Sequence, residues 1–243
     1  MVQHAASVVS PRAKRQRTDG GSTSMALPAT LAVGSICSGM GVDGLALHNM
    51  GVKHRKVFTC EANTHCNMFL DDNFPDVEAR FGCVHSSEFK QHAPPCDLLS
   101  AGFPCQPFSM QGLGLGIVDP RGSVIFEIIT YVKKNQPRIV VLENVRGLVT
   151  AHADTFLAIL KAFQNIKDHA TQERCYFLYW KELNSEGYGV PQSRTRVYVV
   201  LIKRLGRPKI KFAWPKPVPT PPLSTIFDPR RLNMCSKPTL PLH

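Results

Sequence analysis

The sequence has no long apolar run, and its first residues lack an apolar centre. A helix needs roughly 20 consecutive apolar residues to cross a bilayer, and no stretch approaches that length. We therefore expect a soluble protein without a membrane span. Residues 1–24 contain a basic cluster but nothing like the apolar core of a secretory signal, so we also expect that the protein is not secreted.

Closely paired cysteines are also absent. The chain has eight cysteines, but no two have the Cys-x-x-Cys spacing that is typical of zinc sites. We predict no metal and no disulfide framework, with reduced thiols that mostly serve as small buried hydrophobes. Only one of them, discussed below, requires another explanation.

Acidic residues are scarce, and the chain has a net charge of +11. The excess lies at the two ends: residues 1–30 hold four Lys/Arg and one acid, and residues 206–243 hold seven and one. Such ends are typical of solvated, disordered segments or of contacts with a polyanion. The run Pro11–Arg17 favours a nuclear-import signal, which predicts a nuclear location with the cytoplasm as the alternative.

A chain of 243 residues can bury one good core. We predict a disordered basic tail at 1–29, a single folded domain at 30–204, and a basic tail or truncated linker at 205–243. Nine of the 19 prolines lie in 208–243, and that density blocks both helices and interior strands.

Short apolar runs rich in β-branched residues alternate with longer amphipathic stretches between residues 30 and 204. The predicted strands are Leu31–Ile36, Lys56–Cys60, Asp97–Ala101, Arg138–Glu143, Tyr176–Trp180 and Arg196–Ile202. The predicted helices fall near 42–50, 63–73, 122–135 and 153–166. This alternation predicts an α/β fold of the Rossmann-like kind, with a mostly parallel sheet and helices on both faces.

A Gly-x-Gly turn follows the first predicted strand. In Ser38–Gly41 the glycines let backbone amides approach a bound cofactor closely, although a tight strand-to-helix turn would look the same. Glu61 ends the second strand, where a carboxylate can accept hydrogen bonds from ribose hydroxyls; the alternative is a solvated helix cap. The combination fits any nucleoside-containing cofactor and does not distinguish nicotinamide dinucleotide from S-adenosylmethionine.

The third predicted strand leads into Gly102–Ser109, which places Cys105 at the carboxyl edge of the sheet. Open α/β folds bind their ligands at that edge, and a thiol with a lowered pKa can act there as a nucleophile. Glu143 emerges from an apolar strand, where burial would raise its pKa and make it a proton donor; the alternative is a cap for the next helix. The alternating Arg194 and Arg196 could contact a carbonyl oxygen and a phosphate, or form a structural ion pair.

Together these motifs resemble the cytosine-C5 DNA methyltransferase family. The resemblance covers about residues 31–203, and the motifs stand in the family's order. They are Ser38–Gly41, Cys60–Glu61, Gly102–Ser109, Glu143–Val145 and Gln192–Arg196.

The resemblance implies a Rossmann-like methyltransferase fold, S-adenosylmethionine as the methyl donor, and a target cytosine that is flipped out of DNA. In that scheme Cys105 bonds to carbon 6 of the base and Glu143 contacts nitrogen 3 and the exocyclic amine, while Arg194 and Arg196 steady the base and its loop. The implied donor-binding residues are Ser38, Gly39, Met40, Gly41, Glu61, Gly102 and Pro104. The glycine-containing stretch 109–122 resembles the family's mobile loop.

Three features depart from the family. Cys37 stands where an aromatic residue usually packs on the donor, and the stretch Val84–Ser87 lacks the usual acid for the adenine amine. After Ile202 the family continues with a target-recognition region and a final Gly-Asn-rich motif, neither of which is found here. We expect a fragment, an incomplete gene product or a degenerate relative, with a partner polypeptide supplying target recognition.

Two other functions stay open. The first is an RNA cytosine methyltransferase, because the tRNA-modifying branch of the family has the same fold and chemistry. The second is a non-catalytic binding or regulatory relative that has kept the fold.

Overall fold

A computed structural model describes residues 28–104, 124–206, 210–222 and 224. The strands are β1 (Leu31–Ile36), β2 (His54–Cys60), β3 (Arg80–Phe81), β4 (Leu98–Ala101), β5 (Ile139–Val145), β6 (Tyr176–Asn184) and β7 (Thr195–Lys203). The helices are α1 (Val42–Asn49), α2 (Thr64–Asn73), α3 (Ser87–His92), α4 (Val124–Asn135), α5 (Gly147–Thr150) and α6 (Ala153–Gln164). A short 3-10 helix covers Ser185–Gly187.

The seven strands form one sheet in the order β3-β2-β1-β4-β5-β7-β6. Strands β1 to β5 are parallel, whereas β7 pairs antiparallel with both β5 and β6. The chain reverses its direction of travel across the sheet between β1 and β4, which opens a crevice at their carboxyl ends where ligands bind in such folds. The predicted Rossmann-like, mostly parallel sheet is confirmed.

The core lies between the sheet and its amphipathic helices. All six residues of β1 are buried, as expected for a central parallel strand. Phe58 of β2 packs edge-on against Phe81 and Phe89 and lies 5.4 Å from the ring of Tyr131 in α4. A Cβ atom on Gly34 would come within 2.2 Å of the Phe58 ring, so a glycine in β1 makes room for this aromatic cluster.

Several elements differ from the sequence-based prediction. The two-residue β3, the six-residue α3 and the four-residue α5 were not predicted, because elements this short contain too few residues to show a period. Strand β6 continues to Asn184, four residues beyond its predicted end. No helix in the described ranges is long and apolar enough to cross a membrane.

Part of the proline-rich segment after β7 lies against the domain. The backbone N–H of Val218 donates to the carbonyl of Gly187 at 3.0 Å, and the same segment forms a bridge with Tyr188. Further back, the ring of Phe212 lies 4.6 Å from that of Tyr179 on β6. Residues 210–222 therefore run along the edge strand β6 toward the carboxyl end of the sheet. The predicted domain limits at 29/30 and 204/205 stay predictions.

Candidate active site

The turn between β1 and α1 uses backbone conformations that favour glycine. Cys37, Gly39 and Gly41 have φ values of 53°, 52° and 71°, and a Cβ on Gly41 would come within 2.7 Å of the Phe74 ring. On Gly39 the same atom would meet no described atom within 4 Å. Glycine at position 41 therefore lets the turn pack closely against the Phe74 ring, while the space beside Gly39 is open.

Glu61 is joined directly to this turn. Its Oε2 accepts a hydrogen bond from the N–H of Gly39 at 2.7 Å, and its Oε1 accepts one from Asn63 at 2.9 Å. The helix-cap alternative does not hold, because Asn63 itself caps α2 through His65 and Cys66. Each Glu61 oxygen keeps a second lone pair, which leaves the carboxylate able to accept from a ligand.

Ser38 strengthens the same link. Its hydroxyl donates to the Ser35 carbonyl at 3.1 Å and accepts from the N–H of Cys60 at 3.2 Å. Met40, by contrast, is half exposed, with 52% of its surface accessible. The turn and the end of β2 thus form one hydrogen-bonded unit from which Met40 projects into solvent.

Gly102 lies between this unit and the predicted base site. A Cβ on Gly102 would be 3.5 Å from Oε2 of Glu143 and 4.0 Å from the carbonyl oxygen of Cys37. Gly102 is exposed, Phe103 is buried and Pro104 is half-buried. At the end of β4, therefore, little more than the backbone of Gly102 lies between the predicted donor site and the predicted base site.

Glu143 is ion-paired at the carboxyl end of β5. Its Oε1 lies 3.0 Å from Nε of Arg196 and 3.9 Å from Nη2 of Arg194, so the ion pair foreseen for the arginines is present. The side chain remains 33% exposed, so the burial expected from the sequence is only partial. Glu143 does not cap α5, whose first position is occupied by Arg146 without a side-chain cap.

The arginine-bearing loop is closed by the end of β6. Oδ1 of Asn184 accepts from the N–H of Arg194 at 2.9 Å, and the N–H of Ser185 donates to the Arg194 carbonyl at 3.1 Å. These bonds set the point at which β7 begins, and hence the position of Arg196 beside Glu143.

Sequence reasoning assigned no role to Asn144. Its buried Nδ2 donates to the carbonyl of Phe103 at 2.9 Å, which ties β5 to the residues that lead to Cys105. An amide next to Glu143, in a strand whose other residues are all apolar, was the available signal, because a buried polar side chain requires a partner.

Cys105 and the glycine-containing stretch 109–122 lie outside the described residues. Among the described cysteines, burial raises the pKa of Cys37 to about 12, with smaller contributions from the nearby Glu61 and Cys83. Burial likewise raises the pKa of Cys96 to about 11 and that of Cys60 further. These thiols stay protonated near neutrality and are poor nucleophiles.

The stretch that lacks the family's adenine-binding acid is occupied by contacts within the protein. Val84 is buried, the hydroxyl of Ser86 accepts from the N–H of Phe89 at 3.0 Å, and His85 lies 3.4 Å from Glu127. No described acid replaces the missing one within Val84–Ser87.

The motifs brought together at this edge are those of a known family. The family model for the C-5 cytosine-specific DNA methylase matches residues 31–234. The chain belongs to this family. Its members use S-adenosylmethionine as the methyl donor, which agrees with the predicted cofactor.

Curated members of the C-5 cytosine-specific DNA methylase family are similar to most of the chain. Type II methyltransferase M.NgoBI of Neisseria gonorrhoeae is 34% identical over 182 residues, which cover 74% of this chain and 52% of that protein. M.HaeII of Haemophilus aegyptius is 34% identical over 179 residues, covering 73% and 52%. The orphan methyltransferase M.Rho11sI of Bacillus phage rho11s is 34% identical over 174 residues, covering 71% and 33%. The chain thus spans about half the length, or less, of these relatives.

Solved structures share the fold of this family member. The S. pombe Dnmt2 methyltransferase superposes with a TM-score of 0.57 at 21% identity, covering 76% of this chain and 52% of that one. A Spodoptera frugiperda DNMT2 mutant gives 0.57 at 23% identity, covering 78% and 57%. At these identities the likeness concerns the fold alone.

Proposed function

We propose that this chain is the catalytic part of an enzyme that transfers a methyl group to carbon 5 of cytosine in DNA. One observation carries the proposal. Glu143 with its two arginines lies beside Gly102, and Asn144 binds the carbonyl of Phe103, two residues before Cys105. Three motifs that are far apart in the sequence therefore meet at the ligand-binding edge of the sheet.

The residues around the first turn fit a nucleoside-containing methyl donor. The open space beside Gly39 admits a ligand close to the backbone, and Glu61 offers its remaining lone pairs to ribose hydroxyls. In this proposal Ser38, Gly41 and Met40 shape the rim of the site. S-Adenosylmethionine, when bound, supplies the methyl group.

Gly102 and Pro104 form the side of the donor site that faces the base, in this proposal. Gly102 lies next to both Glu143 and the carbonyl of Cys37, so it offers a short route between donor and base. A larger side chain would fill this route. This arrangement supports donor and base sites that share one wall.

Cys105 provides the nucleophile in this mechanism. Carbon 5 of cytosine is a poor nucleophile until a thiolate adds to carbon 6, which moves the ring electrons toward carbon 5. After methylation, loss of the proton from carbon 5 returns the electron pair to the ring and expels the thiolate. The high pKa of the buried Cys37, Cys60 and Cys96 disfavours each of them as an alternative nucleophile.

Glu143 acts on the base edge. Its carboxyl group would hydrogen-bond to nitrogen 3 and the exocyclic amine, which makes addition at carbon 6 easier. Arg196, already 3.0 Å from this carboxylate, holds its orientation, and the more exposed Arg194 is free to approach the base oxygen or a phosphate. A cytosine can reach these groups only if it is flipped out of the duplex.

Covalent trapping tests the proposed nucleophile. In 5-fluorocytosine the fluorine at carbon 5 cannot leave as a proton does, so after methyl transfer from S-adenosylmethionine the enzyme should remain bonded to carbon 6. We expect a trapped complex with the unmodified chain and none with Cys105→Ser, whereas Cys83→Ser, in an exposed thiol, should trap normally. Undiminished trapping by Cys105→Ser would exclude the assigned nucleophile.

Parallel assays with duplex DNA and tRNA separate the remaining alternatives. Transfer to DNA supports the proposal, and transfer to tRNA alone would favour the RNA branch. Donor binding without transfer to either would favour a regulatory relative.

The proposal includes two further points that rest on sequence. The first point is nuclear import through the basic run Pro11–Arg17, whereas the relatives described above are bacterial and phage proteins. The second point is a partner polypeptide that contributes to target recognition, and it rests on the motif pattern of the sequence alone. Localisation of a fluorescent fusion and co-purification address these points separately.

A further inference from the structure

Lys56 occupies an unusual place for a charged side chain. It lies in the middle of β2, between β1 and β3, and its side chain is only 5% exposed. Its Nζ lies 2.7 Å from Oδ1 of Asp43 and 5.6 Å from the centre of the Phe74 ring. Because charges are costly to remove from water, a buried ion pair adds little stability that apolar side chains of the same size would not.

Asp43, the partner of Lys56, has one carboxylate oxygen without a hydrogen bond among the described residues. Its side chain is 15% exposed, and its Oδ2 is buried without a hydrogen-bond partner among the described residues. A buried carboxylate oxygen without a partner lowers the stability of a fold. The pair therefore has features that selection for stability alone would remove.

Gly44 makes room for the lysine. It lies within α1, where glycine weakens a helix, and a Cβ at this position would come within 2.9 Å of Cε of Lys56. Because Cε is the atom next to Nζ, any shift of Lys56 that admits a Cβ at this position would disturb its ion pair with Asp43. The contact between α1 and β2 thus combines three features that lower stability: a buried charge, an unpaired carboxylate oxygen and a glycine within a helix.

This contact joins the two halves of the proposed donor site. Asp43 stands two residues after Gly41, in the first turn of α1, and Lys56 lies on the strand that ends immediately before Glu61. We propose that Asp43 and Lys56 are positioning residues for the methyl donor, which hold the glycine turn at a set distance from Glu61. The inference rests on the proposed donor site and names residues that do not touch the donor themselves.

Calorimetric titration with S-adenosylmethionine tests the pair without requiring turnover. Lys56→Met and Asp43→Asn remove the ion pair, and Gly44→Ala displaces the lysine without changing any charge. We expect each to weaken donor binding about fivefold to tenfold, in the range found for residues that couple to a site indirectly.

Loss of stability needs its own control. Phe163→Leu alters a fully buried side chain in α6, away from the donor turn, and serves as a variant of lowered melting temperature. We expect it to bind the donor like the unmodified chain at temperatures where both are folded. Weakening by Phe163→Leu equal to that of Lys56→Met would overturn the proposal.

An apolar replacement separates packing from positioning. The double variant Asp43→Leu/Lys56→Met should regain the stability lost by Lys56→Met, because buried apolar pairs replace ion pairs well. Donor affinity should nevertheless stay low, because apolar side chains do not fix the relative position of α1 and β2 as a hydrogen-bonded ion pair does. Full recovery of affinity together with stability would overturn the inference, and failure of the unmodified chain to bind the donor would refute the proposed function and this inference with it.

Discussion

In the proposed mechanism, Glu143 is the single side chain on which base activation depends most directly. Glu143→Gln keeps the shape of the carboxyl group but removes its charge and its ability to exchange a proton. We expect methyl transfer in a single turnover to fall by about 100- to 10,000-fold, the usual contribution of general acid–base catalysis. Donor affinity should change little, because Glu61 rather than Glu143 faces the donor in our proposal.

The matched control for this variant is Glu173→Gln, in the exposed loop before β6. It removes the same charge at a distance from the site and should leave transfer unchanged. A collapse of donor affinity in Glu143→Gln would assign Glu143 to the donor site and refute its proposed role.

Elements differ in how readily their sequences revealed them. Strand β1 was predicted with the bounds that the structure has, because a central parallel strand is buried along its whole length and its sequence is mostly apolar. Helices α4 and α6 bury one face each and show a clear helical period. The opposite direction of β7 was not visible, because hydrophobicity carries no information about strand direction.

The loop between α6 and β6 contains a carboxylate whose pKa is shifted. The backbone N–H of Thr171 donates to Asp168 and, with smaller effects of Ala170 and Lys203, lowers the pKa of its carboxyl group. A lowered folded pKa means that the carboxylate stabilises the fold above its unfolded pKa of about 3.9. That stability is lost as the pH falls through the lowered value.

Asp168→Asn keeps an acceptor oxygen but removes the charge, so it should reduce the free energy of unfolding at pH 7 by about 1 kcal/mol, the difference between hydrogen bonds to charged and to neutral groups. The difference from the unmodified chain should shrink as the pH falls through the lowered pKa of Asp168, because the carboxyl group then becomes protonated in the folded state as well. Urea unfolding at several pH values measures this, with the exposed Asp76→Asn as the control. A difference that stays constant over the whole range would show that the charge plays no part.

Two exposed lysines lie toward opposite edges of the sheet. The segment 210–222 runs along β6 toward the carboxyl edge, and the exposed Lys216 lies two residues before Val218, which pairs with Tyr188 beyond the end of β6. Lys133 is equally exposed but stands near the end of α4, just before β5 begins, at the opposite edge of the sheet. The two lysines therefore allow the same charge to be removed on either side of the domain.

Lys216→Ala should weaken DNA binding and lower the slope of log affinity against log salt by about 1, as loss of one phosphate contact does. Lys133→Ala should change neither quantity. Fluorescence anisotropy with duplexes of different sequence at several salt concentrations measures both, and the loss should be equal for all sequences because phosphate contacts do not read bases. Equal effects of the two variants would show that DNA does not bind at the carboxyl edge.

The sequence by itself determined the family, the strands of the central sheet and the order of the motifs, because buried strands and strand-end motifs are local features. Only the tertiary structure decided that Arg196 pairs with Glu143, that Asn144 holds Phe103, and that Lys56 lies buried against Asp43. These partners are distant in the chain, and their meeting depends on strand order and register. Neither the composition nor the period of a segment encodes which other segment will lie beside it.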